Sequence, residues 1–253
     1  MRLLSFFASL LFSASASSAL AQAQPSAAPV VERIVIHAGS LLDRPGRPPR
    51  RNATIIVANG RIEAVQDGFT PVPAGARLID LSDRFVLPGL IDSHVHLTSD
   101  RAGVEGMLSG VTDSVGLRAH ETAWNARKTL EAGFTTVRNL GSEDGLTLGL
   151  RDAIARNWAV GPRIVDAGTS LSTTTGHMDP TLGMREEFHE ALREEGSTCD
   201  GADDCRRAVR RQIALGADVI KIATTGGVNS RIGLGPGAQM FEDEVRAIVE
   251  TAH

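Results

Sequence analysis

The chain has 253 residues, 42% of them hydrophobic, and a formal net charge of −4. That length and composition can bury a substantial core, in one large domain or one and a half. The mild acidity gives no basis for a nucleic-acid or anionic-membrane partner, and the absence of tyrosine argues against a protein-binding surface built on aromatic anchors.

The first 21 residues have the layout of a secretory signal peptide: Arg2, an apolar run over 3–12, then small residues ending in A-L-A and A-Q-A. The apolar run is too short to span a bilayer; its other reading is a buried N-terminal helix. Cleavage is expected after Ala21 or Ala23, with the mature protein exported to the periplasm or the medium and free of the membrane.

A Pro/Ala/Gln linker covers residues 22–29. Strands are expected over 31–36, 53–57, 61–65 and 78–81, with Asn59-Gly60 as a strong hairpin signal between the second and third. Residues 30–84 therefore read as a small antiparallel unit, the N-terminal part of a small β-sandwich domain.

From Phe85 the pattern changes. Residues 85–91 form a nearly continuous apolar run, as in a strand buried on both faces, which climbs to His94 and His96. Histidines at i and i+2 of a strand share a face, and two imidazoles there can hold a transition metal; alone, such a pair is more often two surface histidines. Helices are expected over 119–132, 146–157, 204–215 and 241–253, with strands over 135–140, 163–167 and 218–223. Repeated βα units imply an α/β architecture with a parallel sheet, whose ligand sites lie at the carboxyl edge of the strands.

A (β/α)8 TIM barrel takes about 250 residues for eight units. Four βα units fit between residues 85 and 253, and the chain stops inside a helical pattern without a Gly cap. The choice is between a compact four-unit sheet and the front part of a longer protein; the expectation is an incomplete barrel, truncated before its fifth strand.

Cys199 and Cys205 flank a polar stretch, T-C-D-G-A-D-D-C. In an exported chain a local disulfide is favoured over two free thiols, and the spacing does not suit a structural zinc. Lys221 lies in D-V-I-K-I-A-T-T-G-G, where a lysine inside an apolar strand is costly unless its charge is paired or removed. It can reach solvent or an acidic neighbour at the strand end. Near metal ions it can instead lose its proton and form a carbamate with CO2, whose two oxygens can bridge two metals.

The runs V-L-P-G-L-I-D-S-H-V-H, G-F-T-T-V-R-N-L-G, G-H-M-D and G-A-D-V-I-K-I-A-T-T-G-G-V together resemble the metal-dependent amidohydrolase superfamily. Within it the chain is similar to the imidazolonepropionase-like and Xaa-Pro dipeptidase-like branch, including exported ochratoxin-degrading amidohydrolases. The resemblance implies two divalent metal ions, zinc by default. His94 and His96 would bind the more buried metal, and a carbamylated Lys221 would bridge both. Two further histidines and an aspartate would follow on later strands outside this sequence, so the fragment alone is expected to be inactive. His177 would contact substrate and take part in catalysis.

The implied reaction is hydrolysis of an amide or peptide bond in N-acyl amino acids or dipeptides, through a water activated by the two metals. Ser99 and Asp179 are weaker pocket residues, and Arg231 can pair with a substrate carboxylate or sit in solvent. The partner is thus a small-molecule amide or peptide, with a homo-oligomer left open for the full-length protein. Two alternatives stand beside this reading: a cyclic-amide hydrolase of imidazolonepropionase type, and a periplasmic binding protein without metal. A phosphate-binding nucleotide fold is disfavoured, because no G-x-x-x-x-G-K-[ST] occurs.

Overall fold

The computed structural model describes residues 32–101, 103–193, 195–227 and 235–253. The signal peptide and Arg231 lie outside the described residues. The chain divides into two compact units, one ending at Leu87 and the other running Pro88–His253. Among the described residues no helix is long and apolar enough to cross a membrane.

The first unit is a four-stranded sheet of β1 (Arg33–Leu41), β2 (Arg50–Ala58), β3 (Arg61–Asp67) and β4 (Arg77–Val86), in the order β3-β2-β1-β4. Asn59 and Gly60 both have positive φ, 49° and 73°, the signature of a two-residue type I′ hairpin, and join β2 to β3. The sheet is mixed, not antiparallel throughout: β4 crosses over to lie parallel to β1. Gly39 sits where the β1–β4 register shifts, and a Cβ there would lie 2.2 Å from the Ser82 carbonyl oxygen, so the close approach of the two strands requires glycine. Ala38, Leu41, Ala53 and Ile55 form the core.

The second unit carries a parallel three-stranded sheet of β5 (Leu90–Val95), β6 (Phe134–Asn139) and β7 (Arg163–Asp166), in sequential order. Helix α1 (Gly103–Thr112) and helix α2 (Val115–Glu131) link β5 to β6, and α3 (Leu146–Ala155) links β6 to β7. The hydroxyl of Ser114 caps α2 by accepting from the Leu117 N–H. Beyond β7 come a 3-10 turn (Glu186–Phe188), a short α4 (His189–Leu192), α5 (Ala202–Ala214) and α6 (Glu242–Ala252).

The apolar run over 85–91 is not one strand. Pro88 has no N–H to give a ladder, and the run splits: Phe85 and Val86 pair with Ser40 and Leu41 in the first sheet, while β5 begins at Leu90 in the second. Nor is the run buried on both faces: β5 is an edge strand, and Ile91 is 72% exposed. Residues 218–223 form an extended segment and not a full strand. Its Leu171–Ile222 contact is an isolated parallel bridge, with the Leu171 N–H donating to the Lys221 carbonyl and the Ala223 N–H to the Leu171 carbonyl. Helix α1 has no counterpart among the sequence expectations, although Val104, Met107, Leu108 and Val111 recur at helical spacing.

Two cores hold this unit. Leu97, Ala126, Val137, Leu150 and Ile164 pack between the sheet and helices α2 and α3. Leu171, Val209, Met240 and Ile248 pack around the disulfide-bonded Cys199 and Cys205, whose Cα atoms are 4.9 Å apart. The Glu244 carboxylate ties α6 to the start of α5, accepting from the Phe241 N–H at its own helix end and from the Gly201 N–H, each at 2.7 Å.

Candidate metal centre

Strand β5 delivers His94 within its last turn of pleat and His96 one residue past its end, and the alternation of the strand turns both rings to one side. Their centroids are 5.4 Å apart with planes tilted by 60°. The backbone beneath them is fixed by side chains: the His94 N–H donates to Asp92 Oδ1 at 3.0 Å, and Arg138 Nε donates to the Ser93 carbonyl at 2.8 Å.

His96 Nδ1 lies 3.3 Å from the Gly141 carbonyl oxygen. A carbonyl only accepts, so this contact is a hydrogen bond only when Nδ1 carries the proton. That tautomer leaves the Nε2 lone pair for a ligand. Partial desolvation at the strand end and the positive charges of Lys221, His96 and Arg138 together hold the His94 imidazole below its ordinary pKa, against the pull of Asp92. The structure thus brings Lys221 within electrostatic reach of His94, although the lysine stands on a segment more than a hundred residues away.

The donor set suits a borderline divalent cation. Two imidazoles stand side by side, one with its tautomer fixed by a carbonyl. Among the described residues no group of three or more His, Cys, Asp or Glu stands together as a metal cage. What the described residues offer a cation is therefore two adjacent imidazoles.

His177 stands on the loop after β7. Its N–H donates to Gln239 Oε1 at 2.9 Å, and its ring packs on the Cα of Gly227, where a Cβ would lie 2.1 Å from Cε1. Gly227 is therefore required for close approach of this loop, while a Cβ on Gly226 would meet the Gly235 carbonyl oxygen at 1.9 Å. Asp179 is buried and organises the same loop: Oδ2 accepts from the Thr175 N–H, and Oδ1 accepts from the Thr181 N–H and hydroxyl. Burial would raise its pKa, but the bonds from Thr181 and Thr175 outweigh burial and hold the carboxyl below its usual value. Ser99 donates to Glu121 and accepts from the Arg101 N–H, within an ion cluster that also contains Asp113. Its hydroxyl is thus engaged by Glu121 of α2 and by the Arg101 N–H, and the Asp179 carboxylate by its own loop.

The sequence patterns assign no role to Gly141, Asn125, Asn139 or Asp166. Asn139 and Asp166 are fully buried polar residues at the ends of β6 and β7. The signal available for them was a polar residue closing an apolar strand just before a glycine, as in V-R-N-L-G and V-D-A-G.

Residues 85–253 match the model of the amidohydrolase family. An ochratoxinase of Aspergillus niger is 32% identical over 238 residues, covering 86% of this chain and 47% of that protein. A crystal structure of a Xaa-Pro dipeptidase with methionine bound in its active site superposes with a TM-score of 0.79 at 33% identity, covering 87% of this chain and 54% of the other. The crystal structure of A. niger ochratoxinase gives a TM-score of 0.71 at 28% identity, with 88% and 53% covered. The chain spans about half the length of these relatives.

Proposed function

The chain belongs to the amidohydrolase family, and on that premise we propose that the protein hydrolyses an amide or peptide bond in a small substrate with a free carboxylate, an N-acyl amino acid or a dipeptide. The observation that carries this reading is the His94–His96 pair at the carboxyl edge of the parallel sheet. The likeness to an ochratoxinase and to a Xaa-Pro dipeptidase supports the choice of bond. On this reading the Pro88–His253 unit is the leading part of a (β/α) barrel, and the protein is exported.

Bound divalent cations, with zinc the first choice for imidazole donors, supply the Lewis acidity that polarises a scissile carbonyl and activates water. The chain's own residues do the rest. His94 and His96 hold the first cation, and the Gly141 carbonyl keeps His96 in the tautomer that frees Nε2. Desolvation at the strand end favours the neutral, ligating form of His94. Lys221, if carbamylated, would offer two further oxygens to the cations. His177 faces substrate from the loop that Asp179 braces, Ser99 stays a pocket residue, and Arg231 takes the substrate carboxylate.

The test is a panel of N-acyl amino acids, dipeptides and cyclic amides assayed on the full-length protein with and without added divalent metal. Release of the amino acid from the first two classes is expected, dependent on metal and lost in His94→Ala, His96→Ala and Lys221→Met. Hydrolysis confined to cyclic amides would overturn the substrate class. Activity indifferent to metal and to His94→Ala would overturn the mechanism.

A further inference from the structure

We propose that Asn139 and Asn125 are positioning residues of the His94–His96 pair, which grip both backbone polar groups of Leu97, the residue that follows His96. The role rests on the reading of that pair as metal ligands. The β5–β6 ladder ends at Val95, which faces Asn139 and whose carbonyl accepts from the Leu140 N–H at 3.1 Å. Past that point the chain dives into the core, and Leu97 is only 3% exposed. Its N–H and C=O have no strand partner there, and each would cost about 1–3 kcal/mol if buried without a bond.

Two side chains take over from the ladder. Asn139 Oδ1 accepts from the Leu97 N–H at 3.1 Å, and Asn125 Nδ2 donates to the Leu97 carbonyl at 3.1 Å. Both asparagines are buried, Asn139 completely and Asn125 to 6% exposure. One comes from the neighbouring strand β6 and the other from helix α2, so the grip comes from two separate elements.

The orientation of Asn139 is decided by its other contacts. Its Nδ2 donates to Thr147 Oγ1 at 3.1 Å and to Asp166 Oδ1 at 3.3 Å, and both of those oxygens can accept. Asp166 also accepts from the Gly168 N–H, which anchors it to the end of β7. Three strands and helix α3 are thereby connected through one carboxamide to the residue next to His96. His96 is then held on both sides: by the ladder bond at Val95 and by the amide grip at Leu97. The direction of its Cα–Cβ bond follows from those two anchors, and so does the separation of its ring from that of His94. Residues that orient metal ligands in this way typically change metal affinity about 10- to 100-fold when removed.

The test combines zinc affinity, from competition with a chromophoric chelator, with hydrogen exchange at residues 94–99, both on the full chain. Asn139→Ala is expected to speed exchange of the Leu97 amide and to weaken zinc binding about 10- to 100-fold. Asn125→Leu, close to isosteric, is expected to weaken binding similarly, and it decides the matter if Asn139→Ala does not fold. Thr122→Val, which removes a buried hydroxyl on α2 that bonds only within the helix, is expected to leave affinity unchanged. Wild-type zinc affinity in folded Asn125→Leu and Asn139→Ala, with His96→Ala impaired, would overturn the positioning role alone. A wild-type chain that binds no zinc would overturn the metal reading, and the positioning role with it.

Discussion

The Gly141 carbonyl oxygen faces His96 Nδ1 at 3.3 Å, so the loop after β6 sets the tautomer of a histidine on β5. That loop is itself fixed: Ser170 Oγ donates to the Leu140 carbonyl at 2.8 Å, and Arg118 of α2 pairs with Glu143 and Asp144. Gly141 has φ of 146°, and a Cβ on it would lie 2.5 Å from Ser170 Oγ. Gly141→Ala should therefore cost about 1–3 kcal/mol of stability and also weaken zinc binding, because the carbonyl must move. Thermal unfolding and chelator competition on the same sample check both; an alanine variant with unaltered affinity would separate the loop from the tautomer.

Asp166 predicts a pH dependence. Burial raises its carboxyl pKa above the ordinary 3.8, and the bonds from Thr147, Gly168 and Asn139 only partly offset this. Between the unfolded and the raised folded value the native state binds more protons than the unfolded chain, so this group's contribution to stability falls as pH rises through that window and stays low above it. Asp166→Asn keeps an acceptor for the Gly168 N–H and removes the titration. The unfolding midpoint of the variant should gain on that of the wild type as pH rises from about 4 to about 7; parallel pH profiles would contradict the assignment.

The sequence showed the His94–His96 pair, Lys221, the hairpin at Asn59-Gly60 and most helices, because each rests on local spacing or periodicity. It did not show where the apolar run over 85–91 breaks, since that depends on which sheet each half joins. It also did not show that residues 218–223 meet their neighbours by an isolated bridge, or that β4 crosses to lie beside β1. The polar residues behind the site, Asn125, Asn139 and Asp166, come together only through tertiary packing of α2, β6 and β7, and nothing in their local spacing announces a shared target in Leu97.

The disulfide makes a stability prediction. Cys199 and Cys205 are six residues apart and fully buried in a core with Leu171, Val209 and Ile248. Closing so short a loop stabilises by roughly 2 kcal/mol in the chain-entropy view. The double variant Cys199→Ala/Cys205→Ala should lose about that much in urea unfolding under non-reducing conditions. Equal midpoints for variant and wild type would mean that packing alone holds this segment.

Asp179 should act through its loop. Asp179→Ala removes acceptors from Thr175 and Thr181 and should cost about 2–3 kcal/mol at neutral pH. The folded pKa is lowered, so the contribution is present above the ordinary carboxyl value of 3.8 and is lost as pH falls through the folded value. The gap in unfolding midpoint between wild type and variant should accordingly shrink in acid. Limited proteolysis should cut the variant first within residues 173–182, beside His177; an unchanged cleavage pattern would argue against the bracing role.

The most direct test of the account is X-ray absorption at the zinc edge on the protein loaded with one equivalent of zinc. The account predicts the multiple-scattering pattern of two imidazoles, reduced to one in His94→Ala and in His96→Ala. A zinc environment without imidazole scattering, or one identical in all three proteins, would contradict it.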